Sequence, residues 1–320
     1  MPVLSSALLR ASRSPRVRRA VVAFPVTRAV VDRFVAGERI DDAVRAVQAL
    51  RAQGLRTTLD HLGEDTRDSA QAAAIRDSYV ELLGVLHRTG LADYAEVSVK
   101  LSALGQALRE PGDLGTGTTD YGEKIALENA RAVCEAAAAA GTTVTLDMED
   151  HTTIDSTLRI LAELRLDFPW VGAVLQSMLL RTEQDCRDLA RPGSRVRLVK
   201  GAYAEPDTVA HSRKADVDAA YERCLRILMS GGGYPMAASH DPAMIAAAAR
   251  AAREAGREPG EYEFQMLYGI RTDAQRELAR AGERVRVYVP FGTDWYGYFM
   301  RRLAERPANV AFFLRALVGR

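Results

Sequence analysis

A short run rich in Val, Leu and Ile, followed by a longer stretch of helical periodicity, recurs eight times after Gly54. No other feature constrains the fold as tightly. The short runs fall at residues 56–62, 96–101, 142–147, 171–176, 195–200, 236–239, 262–267 and 284–289. The helical stretches fall at 66–87, 121–140, 156–166, 182–189, 216–229, 242–255 and 272–281, and the last begins after Gly292-Thr293-Asp294. Strands that alternate with helices imply a parallel sheet, and eight such units favour a closed (β/α)8 barrel of the TIM type. A doubly wound sheet is the alternative. Its usual Gly-rich first turn is missing, since no GxGxxG follows any of the eight runs.

The chain is therefore read as an N-terminal helical extension over residues 1–54 and a catalytic-size barrel with a C-terminal helix over 55–320. Within the extension, apolar positions between 26 and 53 suggest two short helices on either side of Gly37. The first thirty residues are Arg- and Ser-rich and carry no acidic residue before Asp32. That composition suits a basic surface touching a membrane, or a helix on the barrel, better than a signal peptide, whose apolar core is missing. With 43 basic and 42 acidic residues, the net charge of +1 argues against a general nucleic-acid binder. No apolar run is long enough to suggest a membrane span. Three dispersed cysteines, Cys134, Cys186 and Cys224, fit reduced thiols in a cytoplasmic protein and show no metal spacing.

In such barrels the active site lies where the strands end, because the loops that follow them converge there. The strand ends of this chain supply Glu64, Lys100, Asp147, Gln176, Arg197, Lys200 and Tyr203, then Ser239, His240, Gln265, Leu267 and Tyr288. Lysine occurs at only four positions, and two of them, Lys100 and Lys200, stand at this rim. Each residue also has a plainer reading. The lysines would satisfy loop carbonyls, Asp147 would cap a helix or pair with an arginine, His240 would pack at a helix start, and Glu64 would be a first-turn acid.

On the last helix Tyr298, Arg301, Arg302 and Glu305 stand at i, i+3, i+4 and i+7, on one face. Two adjacent guanidiniums suit a small carboxylate; a solvated ion-pair surface is the bland alternative. With Lys100 they offer three cations for one carboxylate, Asp147 an acceptor for an ammonium, and Tyr203, Leu267 and Tyr288 apolar walls. A small, partly apolar amino acid fits that description. No Ser-His-Asp or Cys-His pairing is evident, nor a carboxylate cluster for a metal. A Schiff-base aldolase using Lys100 or Lys200 remains a rival, as does a non-catalytic scaffold.

The segments VSVKLSALG, TLDMED, RLVKGAY, AASHDP, EFQMLYG and YVPFGTDWYGYFMRRLAE, in that order over residues 59–309, resemble the motifs of the proline dehydrogenase family. The resemblance is to the monofunctional, flavin-dependent bacterial type, with no fused aldehyde dehydrogenase. It implies oxidation of L-proline to Δ1-pyrroline-5-carboxylate, with hydride passing to N5 of FAD and electrons passing on to a quinone. A quinone acceptor implies transient contact with the inner face of a membrane. By the same resemblance Lys100, Arg301 and Arg302 would hold the proline carboxylate and Asp147 would sit by its nitrogen. Tyr203, Leu267, Tyr288 and Tyr298 would line the ring. Arg197 would lie at the reactive face of the flavin. Met148, Gln176 and the Lys200-Gly201-Ala202 turn would bind that flavin. Ser239 and His240 would reach its ribityl or pyrophosphate region, and Glu305 its adenosine side. Glu64 would close over the substrate by pairing with Arg301.

Overall fold

The computed structural model describes residues 31–63, 66–110, 112–113, 115 and 119–305, the side chains of residues 301 and 303–305 excepted. A helix α1 (Ile40–Arg51) precedes eight strand–helix units. They are β1 (Arg56–His61) with α2 (Ser69–Arg88), β2 (Ala95–Lys100) with α3 (Asp120–Ala140), and β3 (Val144–Asp147) with α4 (Ile154–Asp167). Next come β4 (Gly172–Gln176) with α5 (Thr182–Leu189), β5 (Arg195–Val199) with α6 (Lys214–Ser230), and β6 (Tyr234–Ala238) with α7 (Pro242–Glu254). The last two units are β7 (Glu263–Leu267) with α8 (Thr272–Arg280), and β8 (Val285–Phe291) with α9 (Trp295–Glu305). All neighbouring strands are parallel, and β8 pairs back onto β1 to close the barrel. The expected (β/α)8 architecture is the one observed.

Side chains alternate along each strand. Val97 and Val99 of β2, Val196 and Leu198 of β5, and Val287 and Val289 of β8 belong to the main apolar core between sheet and helices. The alternate positions point into the lumen, and they are largely polar. Arg195 reaches Glu96 across the barrel at 2.5 Å, and Arg197 reaches Ser98 at 3.1 Å. At the narrow crossing of β3 and β4, a Cβ on Gly172 would stand 2.7 Å from Thr145 Oγ1. A side chain there would displace the Thr145 hydroxyl.

Three element ends differ from expectation. Helix α2 begins at Ser69 rather than Thr66, because the Asp68 carboxylate accepts from Gln71 N at 2.8 Å and fixes the first turn. Strand β8 runs past Pro290 to Phe291. Proline lacks only the donor, and its carbonyl is taken by Ala36 N at 2.9 Å while that of Phe291 is taken by Leu62 N at 2.7 Å. Of the two short helices expected around Gly37, the second is α1. Of the first, residues 26–30 lie outside the described residues, and 32–35 form a turn rather than a helix. Ala43, Val44, Val47 and Leu50 of α1 join the main core, so this part of the extension shares the barrel's interior.

Helix α9 is placed by a second apolar cluster. Phe299, Met300, Trp295 and Tyr296 pack with Val31, Phe34 and Leu62, and Trp295 Nε1 donates to Glu38 at 3.2 Å. Each fully buried large apolar side chain contributes about 1.5–3 kcal/mol, so several together fix how α9 is rotated. The rotation leaves Tyr298 and Arg302 facing the C-terminal mouth of the barrel.

Candidate active site

At the top of the lumen, three strands that the sequence separates widely meet at one carboxylate. Asp147 Oδ1 accepts from Ser98 Oγ at 2.6 Å and from Arg197 Nη1 at 2.7 Å. Its Oδ2 accepts from Tyr288 OH at 2.6 Å and from Lys100 Nζ at 3.4 Å. Lys100 lies beside Asp147 because the two are register partners on β2 and β3. Burial alone would raise the Asp147 carboxyl, but Lys100 and Arg197, aided by Ser98 and Tyr288, outweigh it and hold the group below the usual carboxylate range. Burial and the nearby Asp147 and Asp60 push the Tyr288 phenol well above its ordinary value, so it is a fixed donor.

Lys100 also donates to Asp60 Oδ2 at 2.8 Å, and Asp60 is only 1% exposed. The two cations Lys100 and Arg197 are thus matched by two carboxylates, Asp60 and Asp147. Arg197 is 4% exposed and is held further by Gln265 at 2.5 Å, with its guanidinium carbon 5.3 Å from the centre of the Tyr288 ring. One of its nitrogens, Nη2, is buried with no hydrogen-bond partner among the described residues.

These residues form one end of a cavity of about 560 Å3, a size that suits small-molecule ligands. Gln176 lies farther along it. Its Nε2 donates to the Met148 and Glu149 carbonyls at 3.2 and 2.8 Å, while its Oε1 is buried without a partner in the protein. Gly201 has a φ of 112°, where a side chain is strained, and a Cβ on it would run into the Met178 side chain. Lys200 Nζ pairs with Asp218 at 2.5 Å and Asp241 at 2.9 Å. His240 Nε2 accepts from Leu267 N at 2.9 Å, which ties β6 to β7 and leaves the ring's proton on Nδ1. Ser239 Oγ accepts from Asp241 N at 3.1 Å.

Every site residue expected from the sequence whose side chain is described lines this cavity, including Ala202, Tyr203, Tyr298 and Arg302. Glu64, and the side chains of Arg301 and Glu305, lie outside the described residues. Three charged lining residues went unanticipated: Asp60, Lys214 and Asp241. The signal for Asp60 was available, since the alternation Thr58-Leu59-Asp60 sends it opposite the apolar Leu59.

The sequence model of the family described as proline dehydrogenase matches residues 43–315. Proline dehydrogenase of Deinococcus radiodurans is 42% identical over 291 residues, covering 90% of this chain and 90% of that protein. Proline dehydrogenase 1 of Bacillus subtilis is 37% identical over 292 residues, covering 91% and 92%. Among solved structures, proline utilization A (PutA) from Bdellovibrio bacteriovorus, inactivated by N-propargylglycine, matches with a TM-score of 0.79 and 27% identity. That alignment covers 87% of this chain but 33% of the other, so this chain spans about a third of that longer protein.

Proposed function

The chain belongs to the proline dehydrogenase family, and we propose that it oxidises L-proline to Δ1-pyrroline-5-carboxylate with FAD as cofactor and a quinone as acceptor. The observation that carries this reading is the meeting of Asp147, Lys100, Arg197, Tyr288 and Arg302 in one cavity with Gln176. The first five suit a small zwitterion. The rest of the cavity suits a flat group with polar edges. Two buried atoms without protein partners, Arg197 Nη2 and Gln176 Oε1, have the donor and acceptor character that a flavin ring requires. Gly201, at a φ that glycine adopts readily, lines the cavity and can offer its backbone to a close-lying cofactor.

When bound, the flavin supplies a two-electron acceptor for the hydride of the ring carbon next to nitrogen. The protein's part is positioning. Because Lys100 is already shared by Asp60 and Asp147, most of the pull on the substrate carboxylate falls to Arg302 and its neighbour Arg301. Arg302 also lies over the Tyr298 ring, its guanidinium carbon 5.1 Å from the centroid, which fixes the plane it offers. Asp147, held below the usual range, is a weak base. It accepts a hydrogen bond from the substrate nitrogen and leaves the proton for solvent to take. Tyr288 and Leu267 exclude water from the reacting carbon. The reading retains Glu64 as a gate over Arg301, Ser239, His240 and Glu305 along the nucleotide part of FAD, and Tyr203 at the outer wall.

A quinone acceptor calls for transient contact with the inner face of a membrane. Among the described residues no helix is long and apolar enough to cross one. The aldolase alternative is disfavoured by the same ion pairs: Lys100 and Lys200 each face two carboxylates, whereas a Schiff-base nucleophile needs a neutral amine. The test is an anaerobic visible spectrum of the purified protein before and after L-proline. Flavin absorbance that bleaches with proline is expected; a colourless protein, or a flavin that proline leaves oxidised, would reject the proposal.

A further inference from the structure

The opposite end of the barrel carries a second cavity, of about 410 Å3, that proline oxidation leaves unused. Its lining includes four arginines, Arg56, Arg195, Arg284 and Arg286, with Glu96 and Tyr234. The simplest explanation of such a cluster is a structural plug of matched ion pairs. That accounts for half of it. Glu96 takes Arg195 at 2.5 Å, and Glu263 takes Arg286 at 2.7 Å. Both carboxylates are fully buried and already engaged.

Among the described residues, the other two arginines have no carboxylate of their own here. Arg56 donates to the Asp93 carbonyl at 2.6 Å, while that residue's side chain stands at the exposed lip. Arg284 donates to the Tyr234 hydroxyl at 3.0 Å. Four guanidiniums against two buried carboxylates, with Asp93 at the lip as a third, leave the cavity net positive. Burial, with Arg286 and Arg284 nearby, depresses the Arg56 guanidinium, as expected where positive charge is not cancelled. Arg195, moreover, keeps Nη1 buried with no hydrogen-bond partner among the described residues, its side chain being only 12% exposed. A buried, unused donor is costly unless something fills it.

We propose that this cavity binds a compact oxyanion of two negative charges, inorganic phosphate or the phosphate of a small ester, between Arg56, Arg195 and Arg284. Guanidinium forks match such oxyanions in geometry as well as charge. The site lies at the N-terminal ends of the strands, across the sealed lumen from the catalytic mouth. It stands whether or not the reading of that mouth holds.

Isothermal titration of inorganic phosphate into the purified chain as it is isolated, at ionic strength matched with chloride, tests it. One saturable site per chain is expected for the unaltered protein and for Arg302→Met. The binding constant should fall about tenfold or more in Arg284→Gln and in Arg56→Gln, which leave the Glu96–Arg195 and Glu263–Arg286 pairs intact. Glycerol phosphate as competitor separates the two sources: displacement at lower concentration than phosphate itself marks an esterified ligand, and at higher concentration a free anion. Absence of saturable heat up to about 10 mM phosphate would overturn the proposal. So would binding abolished by Arg302→Met yet kept in Arg284→Gln, which would place the anion at the catalytic mouth.

Discussion

Lys100 Nζ lies 2.8 Å from Asp60 Oδ2, so the rim lysine expected to hold a substrate carboxylate already holds one from the neighbouring strand. The Asp60 side chain is 1% exposed and that of Lys100 13%. Removing one member of so buried a pair leaves the other charge uncompensated, at a cost of roughly 3–5 kcal/mol. Lys100→Met should therefore destabilise the fold as well as raise KM. Adding Asp60→Asn should recover part of the lost stability without restoring KM. A double-mutant cycle by denaturant unfolding checks this. Strictly additive effects of the two changes would mean that the pair is not coupled.

Arg302→Met separates binding from cofactor retention. Arg302 lines the cavity and lies over Tyr298, and on the proposed reading it holds the substrate carboxylate, so its loss should raise the proline KM by about ten- to a hundredfold, the worth of one charge-assisted hydrogen bond. The protein should stay yellow. Steady-state kinetics with the visible spectrum decide it, and an unchanged KM would remove Arg302 from the clamp.

Three buried carboxylates make the fold sensitive to acid in a defined window. Asp147, Glu96 and Glu263 are each held below the usual range. In each case burial pushes upward and is outweighed, for Asp147 by Lys100 and Arg197, for Glu96 by Arg195 and Arg286, and for Glu263 chiefly by Arg286. A group depressed on folding binds fewer protons in the native state than in the unfolded chain. Its contribution is complete above the unfolded value, about 3.9–4.3, and is lost as pH falls through the lower folded value. The contribution of these groups to thermal stability should thus be full and constant between about pH 5 and 7 and fall away below about pH 4. Asp147→Asn removes one of the three, so its melting temperature should fall less steeply over that acid range. A slope equal to that of the unaltered protein would contradict the assignment.

Much of this was legible in the sequence, for a physical reason. The strand positions that face the helices are apolar and period-two, as Val97, Val99, Val287 and Val289 illustrate, and that pattern survives without any knowledge of partners. The pairings inside the lumen were not legible. Its polar residues find each other across the barrel, Glu96 with Arg195 and Ser98 with Arg197, each 99 positions apart. Nothing in a single chain records such pairings. Asp60 was passed over although it lies inside the expected run 56–62, because from that strand only Glu64, beyond its end, stood out as a site residue. Lys214 was missed for a smaller reason. The helix was expected to start at Asp216, two residues after its actual start, so the approach of Lys214 to Asp218 and Asp241 had no frame.

Gly201 offers the sharpest separation of fold from cofactor binding. Its φ of 112° costs a residue with a side chain about 1–3 kcal/mol, and an added Cβ collides with the flexible Met178 side chain. Gly201→Ala should keep the barrel, since the turn lies beyond the end of β5, but the turn between Lys200 and Ala202 should shift and flavin occupancy should fall. Combining it with Met178→Ala removes the collision and leaves the backbone strain. Occupancy that returns in the double variant would assign the loss to the collision; occupancy that stays low would assign it to the backbone conformation. Visible absorbance per protein, with circular dichroism to confirm the fold, measures both. Full flavin retention in Gly201→Ala itself would mean that this turn does not hold the cofactor.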